Sequence, residues 1–227
     1  HLGKDEASFL ISEQKRVLAR MGIIRVVVPD LEQICQNYLA FLASVLAGNQ
    51  EDEFKYDYTQ LELFDQVVRD ETGGEMLRLW ATGLVADPAF VKSRSGIEAA
   101  DIMAPLSHVV SATPTQTYKF SQRIVRRVTA GWIRMRLRTA EVLVATLLGA
   151  RGKKALRIGL FRRSGEVHRV MYDRYSVTRL LKAQGFRDVR LVSATLSQIP
   201  DFAQYGLDAV HGATRKPNSI FVEAVRG

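Results

Sequence analysis

Residues 23–28, Ile-Ile-Arg-Val-Val-Val, lie between Gly22 and the pair Pro29-Asp30 and constrain the fold more than any other stretch. A run this close to continuously apolar predicts a strand buried on both faces beneath helices, rather than the alternation of a half-wet sheet. Residues 5–20 read as the helix before it. Phe9, Leu10, Val17, Leu18 and Met21 make its apolar stripe, and Gly22 supplies a left-handed stop. Pro29 ends the strand, and Asp30 is expected to cap the helix that follows.

The same helix-then-strand pattern returns at the other end of the chain. Residues 176–183 form a short helix with Val177, Leu180 and Leu181 on one face, capped by Asp173 and stopped by Gly185. Strands are expected at 189–194 and 219–225, joined by a polar loop over 197–218 that is long for a hairpin. Between these ends, residues 31–175 are mostly helical in pattern, with breaks at Gly48, Gly73-Gly74, Pro88, Pro105 and Pro114. A block of that size is more than a connection needs, and large insertions at the carboxyl ends of strands commonly cover a site. The expected organisation is therefore a sheet portion at 1–30, a mostly helical insertion or cap at 31–175, and a second sheet portion at 176–227.

Composition narrows the classes. With 227 residues, 47% of them apolar, the chain can bury an ordinary core. One cysteine, Cys35, excludes an internal disulfide and cannot alone build a structural zinc site; it reads as a small buried hydrophobe, and no metal site is expected. Cytoplasmic residence is the default, and the strongest apolar run, 142–148, is far too short to span a bilayer. The net charge of +8 is uneven, since residues 119–163 hold thirteen basic side chains against the single acid Glu141. Trp132 and the arginines around it, close to the apolar run, suit an anionic membrane surface. Nucleic acid is not expected, because no recognised module or aromatic platform accompanies the charge.

Three blocks resemble class I S-adenosylmethionine-dependent methyltransferases, in particular a bacterial subgroup associated with saccharides and surface polymers. They are LISEQKRVLARMGIIRVVVPD at 10–30, LFDQVVRDETGGEM at 63–76, and FRRSGEVHRVMYDRYSVTRLLKAQGF at 161–186, continuing to KPNSIFVEAVR at 216–226. His1-Leu2 is similar to the end of a Glu-His-Leu signature that precedes the helix in that family. The resemblance implies the carboxyl-terminal part of a Rossmann-like, doubly wound methyltransferase sheet. Residues 23–28 would be strand five, 189–194 strand six, and 219–225 strand seven, running antiparallel between the other two. It implies S-adenosylmethionine as cofactor of the complete protein and a glycan or small-molecule acceptor. Strands one to four, with the glycine-rich turn and the ribose-binding acid, have no counterpart in this sequence, so this chain alone is expected to be inactive. The alternative is a non-catalytic, membrane-peripheral module derived from such an enzyme.

Methyl transfer to a hydroxyl is an in-line displacement helped by positioning and by a general base. The candidate bases are His1, His168 and Glu75, and His1 also matches a position near the cofactor. Asp65, Gln66, Arg69 and Glu75 form one candidate acceptor wall, with Asp65 and Arg69 expected to pair as helical neighbours and Gly73-Gly74 to turn the chain. His168, Arg169, Tyr172 and Tyr175 form another, where the insertion rejoins the sheet and ligands bind in open α/β folds. Asp101 and His108 read as solvated or capping residues.

Overall fold

The computed structural model describes residues 1–83, 85–104 and 120–227, apart from the side chains of 120–134 and 136. Pro105, His108 and Pro114 lie outside the described residues, as do the side chains of the arginines between 123 and 136 and of Trp132. Within that description the protein is mixed α/β, with seven α-helices and a small antiparallel sheet. It divides into two compact units, one made of residues 1–104 and 165–227, the other of residues 105–164. The first unit takes in both expected sheet portions and the helices up to residue 104.

In the first unit, α1 (Lys4–Val17) leads to β1 (Ile23–Pro29). After the helices α2 (Leu31–Leu46), α3 (Glu53–Val68), α4 (Gly74–Ala81) and α5 (Pro88–Met103), the chain returns through α7 (Arg174–Ala183), β2 (Phe186–Val192) and β5 (Ser219–Arg226). The intervening helix α6 (Phe120–Arg162) belongs to the second unit. The sheet order is β1-β5-β2, and β5 runs antiparallel to both neighbours. β1 and β2 are therefore parallel to each other with the last strand between them. The long loop before β5 is organised by a 3-10 turn at Phe202–Tyr205 and a small hairpin of β3 (Ala209–Val210) and β4 (Ala213–Thr214).

The register shows how the strands divide their faces. Ile24 of β1 and Ile220, Val222 and Ala224 of β5 join Ile11 of α1, Val177 and Leu181 of α7, and Phe186 in one buried cluster, with Val26 and Val28 packed against it. The opposite face differs from the expectation of helices on both sides. There Arg25 stands opposite Glu223, and Val27, opposite Phe221, is 38% exposed. Arg25 donates to Asp208 (2.6 Å), Glu223 (2.7 Å) and the carbonyls of Ser193 and Leu196, and its guanidinium lies 4.6 Å from the Phe202 ring centroid. A cation inside an apolar run recruits a polar loop rather than a second helical layer.

Three local expectations are corrected. The left-handed residue after α1 is Met21 (φ 61), and Gly22 serves another need, because a Cβ there would lie 2.7 Å from the Ala19 carbonyl oxygen. The buried face of α1 is carried by Ile11 and supported by Leu18, whereas Phe9, Val17 and Met21 are more than 60% exposed. β2 begins at Phe186, directly after the left-handed Gly185, and ends at Val192. A bulge between Arg187 and Arg190, with Asp188 at φ 49, shifts its pattern out of simple alternation.

The helices α3, α4 and α5 share a second core of Tyr58, Met76, Trp80, Val91 and Ala99. A buried polar network ties this layer to the sheet. Arg94 of α5 donates to Glu62 of α3 (2.9 Å) and Gln33 of α2 (2.9 Å), and Asn218, just before β5, donates to the other Glu62 oxygen (3.1 Å). Helix α5 is broken at Gly96 (φ 71, ψ −147), where a methyl group would overlap the Arg215 carbonyl, so glycine lets the chain entering β5 pass against the helix.

Candidate functional site

The carboxyl end of β1 opens onto a cavity of about 450 Å³. Its position follows from local chemistry. Asp30 caps α2 by accepting from the Gln33 amide (3.1 Å), its own amide donates to Asn218 O (2.9 Å), and the Leu31 amide donates to Tyr172 O (3.0 Å). The end of β1, the start of β5 and the segment before α7 are thus fastened together. Asp173 then caps α7 by accepting from the Ser176 amide (2.7 Å), as its place before that helix implies. Gln66 of α3 closes the cavity, and its carbonyl accepts from the His168 amide (2.8 Å).

Of the expected site residues, His1, Gln66, His168 and Tyr172 meet around this cavity. The His168 and His1 rings approach edge to face, with Nε2 atoms 3.1 Å apart, and His1 Nδ1 bonds to the Gly165 carbonyl. One of the two facing nitrogens carries the proton of that contact. Burial lowers the His168 pKa to about 4, helped by the positive charges of the chain's amino terminus, Arg69 and Lys216. His168 is therefore neutral near pH 7, able to accept a proton but not to hold it tightly. Burial also raises the Tyr172 hydroxyl above its ordinary range, so it stays a neutral donor or acceptor.

The remaining candidates lie elsewhere. Asp65, Arg69 and Glu75 line a separate cavity of about 530 Å³ between α3 and α4. The expected Asp65–Arg69 ion pair does not form: the Arg69 amide still donates to the Asp65 carbonyl (3.0 Å) at the end of α3, but the two side chains are engaged elsewhere. Asp65 instead holds the start of α4, accepting from the Glu75 amide (2.7 Å) over the left-handed pair Gly73-Gly74. Arg69 donates to the Glu166 carbonyl (2.7 Å) and steadies the segment carrying His168. Glu75 is exposed. Arg169 pairs with Glu6 (3.3 Å), and Tyr175, 69% exposed on α7, lies beneath the Arg179 guanidinium. Asp101 is exposed, and Cys35 is a half-buried free thiol rather than a fully buried one.

Lys216 and Asn218 are among the lining residues that escaped the sequence reading. The signal for them was their place immediately before a strand that ends in the same cluster as β1. Comparison with protein-family models, curated proteins and solved structures finds no match for this chain. Among the described residues no group of three His, Cys, Asp or Glu could hold a metal ion. The cofactor implied by the resemblance also finds no seat here. No carboxylate lines the 450 Å³ cavity to take ribose hydroxyls, and no glycine brings backbone amides to it. What the cavity can do with its own residues is accept and orient a hydroxyl between neutral imidazole, phenol, amides and the Lys216 ammonium.

The titration of His168 follows directly. Unfolded, it takes up a proton near pH 6.5, and folded only near 4, so stability falls as pH drops from 6.5 towards 4 and the loss is complete below that window. Proton NMR of the imidazole is expected to show a midpoint near 4. A midpoint at or above 6.5 would mean that the ring is solvated.

Proposed function

We propose that this chain is the carboxyl-terminal part of an S-adenosylmethionine-dependent methyltransferase whose complete form methylates a hydroxyl of a saccharide-type acceptor. The observation that supports this reading is the order β1-β5-β2, with the last strand antiparallel between two parallel ones and a cavity at the carboxyl end of β1. That is the arrangement the resemblance implies for strands five, seven and six. Neutral His168 suits the acceptor side of such a reaction, where it would take the hydroxyl proton while Tyr172 and Asn218 orient the ring bearing it. On this reading cofactor binding belongs to strands one to four of the complete protein, which the resemblance implies.

The test starts from the reading frame upstream of the His1 codon. The expected frame encodes a strand followed by a Gly-x-Gly turn. Protein expressed with that frame should transfer labelled methyl groups from S-adenosylmethionine to saccharide acceptors, and His168→Ala should slow transfer by about a hundredfold or more, with little change in cofactor affinity. An unrelated or closed frame, or micromolar binding of S-adenosylhomocysteine by the present chain alone, would overturn the assignment.

A further inference from the structure

Helix α6 carries a feature that the proposed reaction does not use. At Gly149 its backbone leaves the helical region (φ 69, ψ −165). Beyond that point Arg157 makes two bonds to Glu141 (2.8 and 2.7 Å), and Lys153 approaches the same carboxylate (3.9 Å). In a straight helix residues 141 and 157 would be about 24 Å apart. The chain therefore turns back at Gly149 as a helical hairpin. Gly152 makes the close approach possible: a Cβ there would overlap Leu148 and lie 3.2 Å from Val144.

Folding back uses the face with Glu141 and Val144 and turns the other face outward. On that outward side Val142, Leu143 and Leu147 are 61–72% exposed, and Leu148, on the inner row next to exposed Gly149 and Ala150, is 69% exposed. Arg138, one turn before Val142, and Arg151 and Lys154, just past Gly149, are exposed as well. Between residues 135 and 163 the one acid is Glu141, and it is engaged with Arg157 and Lys153. Large apolar side chains on one short stretch are costly to leave in water, and a monomer rarely keeps such a patch without a use. Among the described residues no helix is long and apolar enough to cross a membrane, so a spanning role does not account for them.

We infer that the hairpin tip at 142–151 inserts into the interface of an anionic lipid bilayer, with Val142, Leu143 and Leu147 entering the acyl boundary and Arg138, Arg151 and Lys154 meeting the phosphate headgroups. Apolar tip and basic collar are the two halves of interfacial binding, and the charge excess selects an anionic surface over a neutral one. This inference stands on the hairpin alone and survives if the proposed reaction fails.

The experiment is co-sedimentation of the full chain with vesicles of phosphatidylcholine containing phosphatidylglycerol, and with vesicles of phosphatidylcholine alone. Binding is expected to the first, much weaker binding to the second. Leu143→Ser with Leu147→Ser, exposed positions that leave the fold intact by circular dichroism, should lower partitioning about tenfold or more. Arg151→Gln with Lys154→Gln should lower it about fivefold for each charge removed. A Leu147→Trp variant should shift its fluorescence to the blue only with the anionic vesicles. Failure to bind anionic vesicles at low salt overturns the inference, as does binding indifferent to the serine pair. A wild-type oligomer that the serine pair dissolves would instead make the tip an interface between copies of this chain.

Discussion

Replacing Arg94 with alanine is expected to lower the unfolding free energy by about 3–5 kcal/mol, measured by urea denaturation. The reason lies in what is left behind. The Glu62 side chain is 1% exposed and its cation partner 8%, so truncating the arginine strands a carboxylate that water cannot reach. Gln33 loses a donor at the same time, while Asn218 alone stays on Glu62. The pair is not optimal even when intact, since Arg94 Nη2 is buried without a partner. Removing both charges as Glu62→Leu with Arg94→Leu should therefore recover most of the loss, because desolvating an ion pair costs about as much as the pair returns. A loss below about 1 kcal/mol for Arg94→Ala would show that the network is wet.

The second large effect is expected at Arg25. Its side chain is 5% exposed and serves two carboxylates, Asp208 and Glu223, that are 11% and 2% exposed. Arg25→Ala should cost about 3–5 kcal/mol and open the 193–215 loop to proteolysis, because the guanidinium is what joins that loop to β1 and β5. Arg25→Lys keeps the charge but not the fork of donors, so it should fall between the two. A loop that resists protease in Arg25→Ala would sink the idea. Acid probes the same joint. Burial pushes the Glu223 carboxyl up, but hydrogen bonds from Ser197, the Gln198 amide and Arg25 outweigh it and leave its pKa below the ordinary 4.5. Its contribution is present above that value and is lost as pH falls through the lowered one.

Which parts were legible in the sequence follows from how local their causes are. Asp30 and Asp173 cap helices with their own side chains, and the left-handed glycines 73, 74 and 185 turn the chain where they stand, so each could be read from neighbours alone. The apolar residues of β1 announced a strand, but Arg25 announced a partner lying 183 and 198 residues away, and nothing near it in sequence says so. The Asp65–Arg69 expectation failed although the spacing is helical, because both side chains are claimed by other segments: the Asp65 carboxylate by the Glu75 amide, the Arg69 guanidinium by the Glu166 carbonyl. For the site, His168 and Tyr172 were found through one block of sequence and Gln66 through another, as parts of two separate walls, whereas Lys216 and Asn218 reach the cavity only because β5 lies beside β1.

The pairing of β1 with β5 also fixes a timetable. Val28 finds Ile220 roughly 190 residues later, while Tyr58, Trp80 and Val91 meet within a few dozen residues of one another. During synthesis the helical core around Trp80 can close early, but β1, made before it, must wait for its pairing with β5 until that strand has left the ribosome. Loop closure over that span is slow and leaves an apolar strand open to unwanted company. The order of translation, rather than the strength of any contact, makes the assembly of this sheet the vulnerable hour of the protein's life.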